Sequence, residues 1–170
     1  LVRGTNSLLP RDIRVQDAVE EDGSFHSRYS AKSKRYMYCI MNRTVQLPFF
    51  ERYTWQVPYV LDVRAMDRAL RCIEGEHDFS SFKKKSEMYT SPVRKVILAR
   101  VRRKGPMIVV FVEATGFLRY MVRNIVGTLV LVGEGRLSGD RFAAVLGFRD
   151  RDKAGPTAPA RGLFLLRITY

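Results

Sequence analysis

Metal-ligating and redox residues are scarce in this sequence. Its 170 residues include two cysteines, Cys39 and Cys72, and two histidines, His26 and His77. The cysteines lack C-x-x-C spacing and the histidines stand far apart, so nothing has the spacing of a zinc site. Two thiols without an evident partner fit a reducing cytoplasm. Long apolar runs are missing as well. The best stretch, 125–132, is broken at Gly127 and falls short of the roughly 18 residues a membrane span needs. Neither G-x-x-x-x-G-K nor G-x-G-x-x-G occurs, which disfavours nucleotide cofactors. The opening LVRGTNSLLPRD has no initiating Met and no signal-peptide pattern, so the chain is expected to be cut from something longer.

Acid is in short supply too. Thirty Lys and Arg face 17 Asp and Glu, a net charge of +13, and the sequence pI is near 10.2. Such an excess points to a polyanion, most often nucleic acid, bound in a salt-sensitive way. The bland alternative is a solubilising surface, or a partner domain that supplies acid.

What is present suffices for one packed domain, since 46% of residues are hydrophobic. IRVQDAV is a short strand candidate. RYMYCIMNR alternates with both faces mostly apolar, and PFFERYTWQVPY has room for a further short strand. Asp62 caps a helix carrying Val63, Met66, Leu70 and Ile73 and stopping at Gly75. VRKVILARVRRKGPMIVVFVEATG is a hairpin about the Lys104-Gly105-Pro106 turn. Its second arm, 108–112, is expected to be a buried central strand. The run 114–135 predicts an apolar helix with Arg119 and Arg123 stacked four residues apart. Ser138 opens another helix with Phe142, Val145 and Leu146 inward. LFLLRITY closes the chain as a strand.

Hairpins and helices come in blocks, so the fold class is α+β, a mainly antiparallel mixed sheet with helices packed on one face. The opposite face, basic and bearing tyrosines, is then expected to be free for RNA.

Few residues suggest chemistry on their own. Arg119 and Arg123 lie outside the apolar arc of their helix. Two readings stand: both snorkel into water, or one is aimed at a carboxylate or phosphate. Tyr36 follows Lys32, Lys34 and Arg35, so it reads as a packing tyrosine or as a platform for a base. His26 has no evident partner and carries little weight as a general base.

Taken together, SLLPRDIRV, FHSRYSAKSKRYMY, GEHDFSSF, FLRYMVRNIVGTLVLVGEG and RDRDKAGPTAPARGLFL resemble the TruA-type tRNA pseudouridine synthases. The resemblance runs from about Asn6 to Tyr170, making 6–170 one domain behind a partial leading segment, 1–5. It implies conversion of uridine to pseudouridine at positions 38–40 of the tRNA anticodon arm, without cofactor or metal, by a cytoplasmic homodimer. It also implies residue roles. Tyr36 of KRYMY packs on the target base, and Arg123 of YMVRN pairs with the catalytic aspartate. Leu163 of RGLFL lines the base pocket, and Arg28 of FHSRYSA touches RNA. Arg119 receives no role. The family's nucleophile is an aspartate in a G-R-T-D segment, and no such segment occurs in these residues. The resemblance therefore marks the chain as the C-terminal half of the enzyme, inactive by itself. A non-catalytic RNA-binding module on the same scaffold is the alternative.

Overall fold

In the computed structural model, which describes residues 1–86 and 91–170, the chain forms two compact units, Leu1–Ser30 and Ala31–Tyr170. The smaller unit has one short helix, α1 (Val2–Leu8), with no buried residue. The strand expected at IRVQDAV does not form. The Asn6 side chain takes both backbone groups of Val15, donating to its carbonyl at 2.8 Å and accepting from its N–H at 2.8 Å. A side chain that satisfies the backbone in this way leaves nothing for a ladder.

In the larger unit alternation builds a six-stranded sheet. Its strands are β1 (Ser33–Met41), β2 (Trp55–Gln56), β3 (Gly75–Asp78), β4 (Val93–Lys104), β5 (Met107–Ala114) and β6 (Leu163–Thr169). The order is β2-β1-β5-β4-β3, with β6 also paired to β1. Among the described residues only the β1–β2 pair is parallel. The β4–β5 hairpin turns where Gly105 adopts φ 56°, a conformation glycine accepts without strain. Strand β3, with the polar sequence GEHD, gave no apolar alternation and was not expected.

Three helices cover the sheet: α2 (Val63–Leu70), α3 (Met121–Gly133) and α4 (Gly139–Phe148). Both foreseen caps are made. Asp62 accepts from the Ala65 N–H at 2.9 Å, and Ser138 from the Arg141 N–H at 3.1 Å. Tyr38, Ile40, Ile108, Val110 and Val112 of the sheet share one core with Met66, Leu70, Ile125, Leu129 and Phe142 of the helices. Each such apolar side chain contributes about 1.5–3 kcal/mol relative to remaining exposed. The expected wholly buried strand at 108–112 is instead half-buried. Strand β5 lies inside the sheet, between β1 and β4, yet only alternate residues are enclosed, with Val109 and Phe111 on the other face.

Carboxylates finish the outer side of β4. The Ala99 N–H donates to Glu74 at 2.8 Å and the Val101 N–H to Asp67 at 2.8 Å, where a further strand would otherwise pair. Burial pushes the Asp67 carboxyl up, but the Val101 N–H and Arg71 outweigh it and hold the pKa below its usual value.

The two faces differ from expectation in one respect. Arg100 and Arg102 do lie opposite Phe111 and Val109 on the face away from the core. The tyrosines do not: Tyr38 is in the core and Tyr36 packs against it, both on the helix side. Period-two alternation shows which residues share a face, and both faces of β1 are apolar enough to take the helices.

Candidate active site

The helix-side margin of β1 gathers the residues of interest. Tyr36 and Tyr38 point the same way, two positions apart. Leu163 of β6 lies directly opposite Tyr38, and Leu165 opposite Tyr36. Arg35 is opposite Arg167, so Leu166 is an extra residue on β6 and makes a bulge beside Tyr36. Bulges of this kind re-aim side chains at sheet margins. Phe117 meets the Tyr36 ring edge-on at 4.9 Å between centroids. Tyr36, Phe117 and Leu163 are half-buried and Leu165 exposed, giving an apolar, aromatic surface at the end of the core.

Tyr38 ties this surface to the loop before β6. Its hydroxyl donates to the Pro159 carbonyl at 2.6 Å. A Cβ on Gly162 would lie 2.7 Å from the Tyr38 ring, so only glycine lets the loop pass this closely. Burial drives the Tyr38 phenol pKa well above its usual value, while Arg123 and Arg161 pull it down. Those two guanidiniums therefore lie near enough to act on the Tyr38 phenol.

Arg123 reaches the site from α3, and the helix begins later than its apolar pattern suggested. Residues 114–120 finish β5 and form a turn; α3 starts at Met121, after Tyr120 in the left-handed region at φ 65°. A bulky residue held there costs about 1–3 kcal/mol, a conformation that collects at functional sites. Arg119 is thus on the turn, not one helical step below Arg123. It is exposed, and its guanidinium lies 5.6 Å from the Tyr120 ring.

Arg123 is half-buried. Its Nε donates to the Ala158 carbonyl at 2.6 Å, and its guanidinium lies over the Tyr120 ring at 4.8 Å. Its two terminal nitrogens make no hydrogen bond or ion pair among the described residues. A guanidinium held at Nε presents its remaining edge in a fixed direction, suited to a carboxylate or phosphate.

The basic flank of Tyr36 is partly committed. Arg35 forms an ion pair with Glu113 at 2.5 Å, and Ser33 donates to the same carboxylate at 2.8 Å. The hydrogen bonds from Ser33 and Arg35 hold Glu113 below its usual pKa. Lys32 remains exposed.

Arg28 is placed in the Leu1–Ser30 unit, exposed, 5.7 Å from the Tyr29 ring. His26 serves a turn there, its Nδ1 accepting from the Arg28 and Tyr29 N–H groups at 3.1 and 3.3 Å. Cys39 and Cys72 are free thiols, and burial raises both, Cys72 to about 11. Among the described residues no helix is long and apolar enough to cross a membrane.

Sequence alone does not single out Phe117, Tyr120 or Leu165: Phe117 and Tyr120 lie inside a run that reads as helix, and Leu165 inside a strand with no polar signal.

These features define a class: a basic α+β domain whose sheet margin joins aromatic faces to an arginine with an open edge. Comparison with known proteins narrows it. Residues 69–170 match the family described as tRNA pseudouridine synthase, and the chain belongs to that family. A tRNA pseudouridine synthase A from Moorella thermoacetica is 48% identical over 165 residues, covering 97% of this chain and 67% of its own length. One from Thermoanaerobacter sp. (strain X514) is 45% identical over 165 residues, covering 97% and 68%. One from Roseiflexus sp. (strain RS-1) is 43% identical over 174 residues, covering 100% and 64%. The chain spans about two thirds of the length of these relatives.

Proposed function

We propose that the chain supplies part of the active site of an enzyme that isomerises uridine to pseudouridine at positions 38–40 of the tRNA anticodon arm. In this reading 6–170 is the C-terminal part of the protein and works in a cytoplasmic homodimer, with tRNA as substrate and no cofactor or metal. The reaction breaks the bond from ribose C1′ to N1, turns the uracil and joins C1′ to C5. The C5 proton is lost and N1 gains one. A carboxylate either traps C1′ or removes a ribose proton, and in both cases it must be ionised in a partly dry site.

The open edge of Arg123 carries this reading. A guanidinium a few ångströms from a carboxylate favours the ionised form and lowers its pKa. The aspartate it would serve is that of the G-R-T-D segment, which this sequence does not contain. Tyr36, backed edge-on by Phe117, offers a face to the base once it has left its stack, and Leu163 helps exclude water. Arg28 is read as a contact to the tRNA.

The test is tritium release from C5-labelled uridine in tRNA by the full-length enzyme. Arg123→Ala is expected to reduce release by at least about 10³-fold, equivalent to about 4 kcal/mol, while tRNA affinity changes little. Near-normal release would remove Arg123 from the chemistry. The present chain alone is expected to release none; salt-sensitive tRNA binding without release by the full-length protein would instead favour an RNA-binding module.

A further inference from the structure

Next to Arg123 in sequence is Asn124, wholly buried and fully engaged. Its amide nitrogen donates to the Phe82 carbonyl at 2.7 Å. Its Oδ1 accepts from the Thr157 hydroxyl at 2.6 Å and from Arg151 at 3.1 Å. Arg151 also donates to Thr157 Oγ1 at 3.1 Å and to the Gly155 carbonyl at 2.9 Å. One turn along α3, Thr128 donates to the Asn124 carbonyl at 2.8 Å and accepts the Gly155 N–H at 2.8 Å. Segment 154–158 is therefore fastened to α3 by side chains from both partners.

The fastening ends at Arg123. The Ala158 N–H donates to the Arg123 carbonyl at 3.1 Å, and the Ala158 carbonyl accepts from Arg123 Nε at 2.6 Å. Two glycines make the approach feasible. A Cβ on Gly127 would stand 1.7 Å from the Pro156 carbonyl oxygen, and one on Gly155 would stand 2.8 Å from the Thr128 Cα. The segment lies flat on the helix, and its position sets where the Ala158 carbonyl holds the guanidinium.

We propose that Thr157, with Asn124 and Arg151, is a positioning residue for the reaction: the hydroxyl fixes the Ala158 carbonyl and so aims the open edge of Arg123 at its carboxylate. The inference rests on the ion-pair reading above. Thr157 is the member that can be altered most gently, since valine keeps its shape and removes only the hydroxyl, and serine keeps the hydroxyl. A loosened Arg123 lowers the carboxylate pKa less, so the acid limb of the rate profile should move to higher pH.

The experiment compares Thr157→Val and Thr157→Ser in the full-length enzyme, measuring kcat, KM for tRNA and the acid limb of kcat/KM. Thr157→Val should lower kcat about tenfold with KM within about twofold, and shift the acid limb upward. Thr157→Ser should restore both. Arg151→Lys, which keeps the charge and loses the fork, is the second variant should Thr157→Val not fold, and should move the limb the same way. A folded Thr157→Val enzyme with unchanged kcat and acid limb overturns the proposal. Arg123→Ala separates the two failures: if that variant is inactive while Thr157→Val is normal, only the positioning role falls. If Arg123→Ala is active, the ion-pair reading falls with it.

Discussion

Arg123 and Arg151 flank the same loop and end up with opposite roles. Arg151 is enclosed by that loop: one terminal nitrogen donates to the Ala154 and Gly155 carbonyls, the other to Asn124 and Thr157. Burial lowers its pKa, offset in part by Asp152. Among the described residues Arg123 makes a single hydrogen bond, through Nε, and keeps both terminal nitrogens open. Both are half-buried arginines beside an apolar helix. What separates them is the destination of the fork. An arginine whose two terminal nitrogens both reach oxygens of the loop and of the helix beneath it stabilises the fold. One held only at Nε has a directed edge left for something else.

Unfolding tests this contrast most strongly. Arg151→Met strips partners from Asn124, Thr157 and Gly155 at once, and should cost about 2–4 kcal/mol in urea unfolding. Arg123→Met removes one hydrogen bond and a ring contact, and should cost about 1 kcal/mol. Equal losses would mean that Arg123 is structural too, and would weaken the case for an open edge.

Gly127→Ala ranks next. The new methyl group would collide with the Pro156 carbonyl, which is backbone and cannot rotate away. The loop must lift, at an expected cost of about 1–3 kcal/mol, read as a lower melting temperature. Because both arginines rely on that loop, this variant should damage the packing of Arg151 and the aim of Arg123 together. Unchanged melting would show that the loop is not pressed against α3.

How far sequence reveals this contrast depends on how local each feature is. The 93–114 hairpin and the Asp62 and Ser138 caps were legible because turn and cap chemistry acts over a few residues. Strand β3 was too short and polar to give a period, and the Asn6 side chain displaced an expected strand. The start of α3 was misplaced because Tyr120 adopts a left-handed conformation that no propensity favours for tyrosine. Arg123 is set apart from Arg119 only through the YMVRN motif. Its geometry depends on Ala158, 35 residues away, and that of Tyr38 on Pro159, 121 residues away. Arg151 gives no such signal, since an arginine in a loop of RDRDKAG reads as solvated.

A third arginine shows in miniature what an in-chain carboxylate does. Arg35 has its partner, Glu113, within the sheet, and the hydrogen bonds from Ser33 and Arg35 lower the Glu113 pKa. A carboxyl whose folded pKa is depressed contributes stability that is fully present above its unfolded value. That contribution is lost as pH falls through the folded value. Stability should therefore decline as pH drops below the ordinary glutamate range, 4.5 and under, and Glu113→Gln should flatten that part of the decline. Arg35 is 37% exposed, so solvent screens the pair. At neutral pH the variant should lose only about 0.5–1 kcal/mol. An acid limb of stability unchanged by Glu113→Gln would place the titration elsewhere and leave Arg35 without a measurable carboxylate partner. The smallness of the expected effect follows from exposure: Arg35 shares its partner with water, and a pairing gains strength only as water is excluded from around it.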